Sequence, residues 1–194
     1  MEKKTARHLR QDSSVAKVLQ TFGNFVYGFS YAQTFRGRKL LWYYEFDVER
    51  MRHDIPKRQK TEAIRLLRQR KLLQLRERAG KFEAAFTQEG FFEYTRLQVL
   101  SANTLPDGKD CLVVFDIPEQ CRAIRRQWRN FLRASGFIQY QLSVWISPFD
   151  AAQPLTRLIH LAGVDRWIRV YIAELQCYVS DRTHSKTQRV QARA

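Results

Sequence analysis

The chain has 194 residues, a net charge of +15 and a sequence pI of about 10.2. A hydrophobic share of 44% with 13% aromatics excludes global disorder. The clustered positive charge points to a polyanion, with nucleic acid the first partner to test and an anionic membrane the second.

No apolar run approaches the roughly 20 residues of a membrane-spanning helix. The first ten residues carry no apolar signal core, so a cytoplasmic protein without a membrane partner is expected. Cys111, Cys121 and Cys177 are widely spaced and form no CxxC, which reads as reduced buried thiols rather than a disulfide frame or a zinc site. His8, His53, His160 and His184 form no HxxxH or HExxH pair, so neither a structural metal nor another cofactor is expected.

Residues 1–13 read as a flexible charged lead. From Ser13, the residues Val15, Val18, Leu19, Phe22, Phe25, Val26 and Phe29 recur in steps of three and four and make one helical face. Ser13 or Ser14 supplies its cap, and Gly23 and Gly28 weaken it. Residues 36–50 are aromatic and carry no clear period. Asp54 ahead of Ile55-Pro56 predicts a helix start, with proline in the first turn. That helix runs to about Arg70. Leu72, Leu73 and Leu75 begin a strand, Arg78 to Lys81 form a turn at Gly80, and Phe82 to Phe86 return. Thr87-Gln88-Glu89-Gly90 opens a further short helix. Helix, strand, basic turn and strand is the ending of a winged helix.

Residues 101–110 hold Pro-Asp-Gly and predict a linker. Strand 111–117 is apolar on both faces, as a central strand is. Helix 119–135 directs Ile124, Trp128, Phe131 and Leu132 to a core and ends at Gly136. Ile138, Tyr140, Leu142, Val144 and Ile146 alternate up to Pro148. Asp150 with Gln153 resembles a capping box for a helix with Leu155, Leu158, Ile159 and Ala162 inward, closed by Gly163. Strand 167–175 turns Ile168, Val170 and Ile172 inward. The order βαβ…αβ suits a ferredoxin-like sandwich, for which 137–148 must supply two strands. The expected α+β organisation is a DNA-binding winged helix-turn-helix over 14–100, the linker, a ferredoxin-like βαββαβ domain over 111–178, and a flexible basic tail over 179–194.

Three constellations carry the chemistry. Between Arg50 and Lys81 stand twelve Lys or Arg against three acids, a net of +9. On helix 55–70, Ala63, Leu66 and Leu67 make the buried face, and Thr61, Arg65, Arg68 and Gln69 lie opposite. Those side chains can reach base edges in a major groove. Lys57, Arg58 and Lys60 add charge to the same helix, and Arg76, Arg78 and Lys81 at the wing suit phosphates. The second constellation is a stripe of Arg122, Arg126, Arg129 and Arg133 with Arg125 beside it. It reads equally as an anion-binding face, an ordinary exposed face or a dimer contact. The third is Asp116. It reads first as the cap of the following helix and second as a magnesium ligand of a nuclease, for which one carboxylate is a poor site unless a twofold dimer brings two Asp116 residues together.

The C-terminal half resembles the core domain of the PaaX-like transcriptional repressors. It is also similar to the small CRISPR-associated adaptation nuclease that shares the ferredoxin-like fold. The residues that carry this are Val113-Val114-Phe115-Asp116-Ile117-Pro118-Glu119, Arg122, Arg126, Leu132, Gly136-Phe137 and Gln141-Leu142-Ser143-Val144-Trp145 with Pro148. Thr61 to Gly90 looks like the winged helix of the same regulators. The resemblance implies a DNA-binding repressor whose sandwich domain forms a homodimer on double-stranded DNA, a binding protein more than an enzyme; the alternatives are a magnesium-dependent nuclease using Asp116 across the dimer and a structural protein that bridges duplex DNA without sequence preference. In the nuclease relatives, the Asp that maps to Asp116 is a metal ligand. The chain is shorter than full repressors, so their acyl-CoA effector is not expected.

Overall fold

The computed structural model describes residues 8–31, 55–78 and 81–174, with side chains over 8–24, 55–74 and 86–174. The aromatic run 36–50, Asp54, Gly80, Cys177 and the basic tail lie outside them. The chain forms two compact units, Met1–Leu97 and Gln98–Ala194.

The first unit begins with helix α1 (Ser14–Tyr31). Ser13 caps it, its Oγ accepting the Ala16 N–H at 3.2 Å. The helix runs unbroken through Gly23. A Cβ there would stand 2.2 Å from the Tyr94 ring, so this glycine admits a close aromatic approach. Helix α2 (Lys57–Gln69) starts one residue after Pro56, which is itself the N-cap and has no capping side chain. The expected start with proline inside the first turn is therefore shifted. Lys71 leaves the helix at φ 57, and the Leu72 amide bonds back to the Leu67 carbonyl at 2.9 Å.

Strand β1 (Leu73–Arg78) pairs antiparallel with β2 (Lys81–Phe86), from Leu73 opposite Phe86 to Arg78 opposite Lys81. Thr87 fixes the base of this hairpin. Its N–H bonds to the Leu72 carbonyl, and its hydroxyl donates to the Lys71 carbonyl and accepts the Gly90 N–H. That last bond caps helix α3 (Gln88–Leu100), thirteen residues long where a short helix was expected. The core gathers Ala16, Val18, Leu19, Ile55, Ala63, Leu67, Leu72, Leu73, Phe86, Tyr94 and Leu97. Phe86 sits at its centre, with ring centroids 5.0 Å from Phe22, 4.8 Å from Phe91 and 5.6 Å from Tyr94.

The lead departs from expectation over 8–12. Leu9 is buried in the same core. Its N–H donates to Glu93 Oε1 at 2.7 Å, and its carbonyl accepts from Arg96 Nη2 at 2.6 Å. Glu93 and Arg96 form a buried ion pair at 2.8 Å, and His8 Nδ1 lies 2.9 Å from Glu93 Oε2. Burial alone would raise the Glu93 carboxyl. Hydrogen bonds from Arg96 and His8, the Arg96 charge and the Leu9 amide together hold it below its ordinary value.

The second unit is a four-stranded antiparallel sheet with two helices. Its strands are β3 (Lys109–Phe115), β4 (Ile138–Gln141), β5 (Val144–Ser147) and β6 (Ile168–Glu174), in the order β4-β5-β3-β6. Helix α4 (Arg122–Ala134) and helix α5 (Ala152–Leu161) make the two crossovers. That order and connectivity are those of a ferredoxin-like sandwich. The central strand β3 sends Cys111, Val113 and Phe115 to the helix side. There they meet Trp145, Ile168 and the buried Trp128, Phe131, Leu132, Leu155, Leu158 and Ile159.

Several expectations are corrected here. Residues 137–148 do supply the two expected strands, as a hairpin that reverses at Leu142-Ser143 with a register shift between Gln139 and Gln141. Val144 and Ile146 lie opposite Val114 and Leu112, on the sheet face away from the helices, and Tyr140 and Leu142 are exposed. Ile172 is exposed as well. Segment 101–110 is tied into this unit, with the Leu105 amide on the Pro148 carbonyl at 2.7 Å and Thr104 bridged to Phe149. Ala151, not Asp150, is the N-cap of α5. Gly136 and Gly163 end their helices at φ 83 and 64, as expected.

Candidate nucleic-acid interface

Helix α2 packs on Ala63 and Leu67, with Leu66 half-buried. Helical geometry then turns Arg58, Thr61, Glu62, Arg65, Arg68 and Gln69 outward, and all six are exposed. Lys57 is exposed at the first turn, and Lys60 is half-buried. The Thr61 hydroxyl donates to the Lys57 carbonyl at 3.1 Å. Ile64, 44% exposed, flanks the face. In the hairpin that follows, Arg78 opposite Lys81 is the last rung of the ladder. The side chains of Arg76, Arg78 and Lys81 lie outside the described ones.

Sequence reading counted Glu62 only as an acid in a basic segment. It holds Arg65 by two bonds, Nε to Oε2 at 2.9 Å and Nη2 to Oε1. The hydrogen bond from Arg65 is the main reason its carboxyl sits low, with the nearby Arg58 charge adding to it. The i,i+3 spacing was the signal that could have found this pair.

In the second unit, the arginine stripe on α4 divides by role. Arg122, Arg126 and Arg133 are exposed. Arg133 lies over the Trp145 ring, 5.8 Å from its centroid. Arg129 is half-buried. It donates to the Leu142 carbonyl at 3.1 Å and lies 6.0 Å from the Phe115 ring centroid, and its Nε is buried with no hydrogen-bond partner among the described residues. Arg125 clamps the loop after β3. Its Nε donates to the Ile117 carbonyl at 3.2 Å, Nη2 donates to the same oxygen, and Nη1 binds Glu119 at 2.7 Å.

Asp116 stands exposed at the end of β3, its N–H on the Trp167 carbonyl at 2.8 Å. It does not cap the next helix. Pro118 is the N-cap of the 3-10 turn Glu119–Cys121, and Cys121 is the N-cap of α4. Magnesium seeks several oxygen ligands. Glu119 is committed to Arg125, Arg129 faces Phe115, and Arg166 stacks on Trp167 at 4.1 Å. Among the described residues no three His, Cys, Asp or Glu gather as a metal group.

The fold defines a ferredoxin-like sandwich preceded by a unit in which a basic helix leads into a hairpin. Residues 103–190 match the family described as the PaaX protein central Cas2-like domain. The match covers 88 of the chain's 194 residues, and over them the four-stranded unit is similar to that domain. No curated protein and no solved structure matches the chain significantly. Among the described residues, no helix is long and apolar enough to cross a membrane.

Proposed function

We propose that this protein is a cytoplasmic, sequence-specific regulator of transcription, a repressor that binds double-stranded DNA as a homodimer. The observation that carries the reading is the exposed face of α2, where Thr61, Arg65, Arg68 and Gln69 stand together beside a hairpin with Arg78 and Lys81 at its tip. The unit acts as a winged helix. Helix α2 enters the major groove, with Arg65 and Arg68 at guanine edges. Lys57, Arg58, Lys60, Arg76, Arg78 and Lys81 hold phosphates and set the register without reading sequence. Arg122, Arg126 and Arg133 give a secondary phosphate contact. Arg125, and in part Arg129, serve the fold instead. The sheet face with Leu112, Val114, Val144 and Ile146 offers apolar surface for pairing two copies, which sets two helices on the half-sites of an inverted repeat.

The test is selection from random duplex by the whole protein at near-physiological salt with magnesium present, reading both sequence and product length. An enriched inverted repeat on intact DNA is expected. Arg65→Ala or Arg68→Ala should cut binding to that repeat about tenfold more than binding to random duplex. Lys81→Ala should weaken both alike and lower the salt slope by about one unit. Equal effects of all three variants, or shortened DNA, would overturn the assignment.

A further inference from the structure

Glu62 is the one acid on α2, in a helix with five Lys or Arg, and it stands on the face turned outward. A carboxylate there repels phosphate. An exposed i,i+3 pair also adds little to folding, so its effect lies in what it does to the face. The geometry is specific. Glu62 takes the Nε and Nη2 of Arg65, which is the side edge of the guanidinium. Arginine has five N–H donors in a planar fork. Engaging the side edge leaves Nη1 and the second Nη2 proton, the end-on pair that matches guanine O6 and N7.

We infer that Glu62 is a specificity-determining residue, which holds Arg65 with its end-on fork free for a guanine while keeping phosphate oxygens off its side edge. This rests on the groove-binding reading above. The paired side chains carry no net charge together. Arg65 is thereby a poor phosphate ligand and a directed base reader. The same carboxylate lowers general affinity for DNA, so preference for the right site comes at the expense of binding everywhere.

The experiment compares the wild-type protein with Glu62→Gln and Arg65→Lys, titrating each onto the selected duplex and a random duplex across a salt series. Glu62→Gln keeps the shape and removes the charge. It should bind random duplex several-fold tighter, with a salt slope steeper by about 0.9 because Arg65 now neutralises a phosphate. Preference for guanine at one position of each half-site should fall about tenfold, and Arg65→Lys should lose the same position. If Glu62→Gln shifts both duplexes by one factor with unchanged base preference, or weakens random binding, the inference is wrong while groove binding stands. If the wild-type protein shows no base preference, and Arg65→Ala and Arg68→Ala change nothing, both fall.

Discussion

Arg96→Met tests whether the buried ion pair holds the start of the chain in place. The Arg96 and Glu93 side chains are 6% and 8% exposed, so neither charge has water as a substitute partner. Removing one member of such a pair leaves the other buried and uncompensated, at about 3–5 kcal/mol. The Leu9 carbonyl also loses its donor. These losses share one network and do not add, so we expect about 4 kcal/mol at pH 7. That is a large part of the roughly 5–15 kcal/mol a domain has in hand. The pH dependence follows from Glu93, whose folded carboxyl sits below its ordinary value of 4.5. Its contribution is fully present above the unfolded pKa and disappears as pH falls through the lowered folded one. In the variant the carboxylate is buried without its cation, so the gap to wild type should narrow in acid as Glu93 takes a proton. Urea unfolding between pH 7 and pH 3 reads the energy, and trypsin cleavage after Arg10 reads release of the lead. A loss under about 1 kcal/mol at pH 7, or a gap that stays constant into acid, would refute the reasoning.

Two further outcomes separate structure from sequence. Gly23→Ala, which helix propensity alone says should stabilise by about 1 kcal/mol, should destabilise by about 1–3 kcal/mol. The added Cβ meets the Tyr94 ring, which is held in place by its hydroxyl donating to Asn24 Oδ1 at 2.6 Å; thermal unfolding decides the sign. Burial pushes the Cys111 thiol up to about 11, with the Ala151 amide working against it and Asp150 and Asp110 adding to it. Iodoacetamide at pH 8 should therefore modify half-buried Cys121 well before Cys111, read by peptide mass.

The elements that alternate or recur strongly were legible in the residues. The first half of the α1 face (Val15, Val18, Leu19 and Phe22), the apolar central strand, and the glycine ends of α4 and α5 follow from local periodicity and from positive φ, while the side chains of Phe25, Val26 and Phe29 lie outside the described ones. The break at Leu142-Ser143 was not. The loop lacks Gly, Asn or Asp, and the bulge at Gln139–Gln141 keeps even-numbered residues on one face through the reversal. Alternation thus runs on as though the strand were single. Caps were misread where spacing suggested a side-chain oxygen and the chain used Pro56, Pro118 or Ala151 instead. At the candidate interface, helical periodicity identified the exposed residues. It did not separate Arg125, spent on Ile117 and Glu119, from its neighbours, because that role depends on a loop brought back by tertiary folding.

Leu9 is gripped through its amide and its carbonyl, groups that every residue except proline offers. The clasp thus recognises a place along the chain as well as a buried side chain. Such a latch is forgiving of evolution and of engineering. Replacements at His8 or Arg10 and fusions upstream leave the backbone contacts intact. Leu9→Pro removes the N–H that Glu93 accepts, and trimming past Leu9 leaves the Glu93–Arg96 pair without either backbone partner at the side of α3.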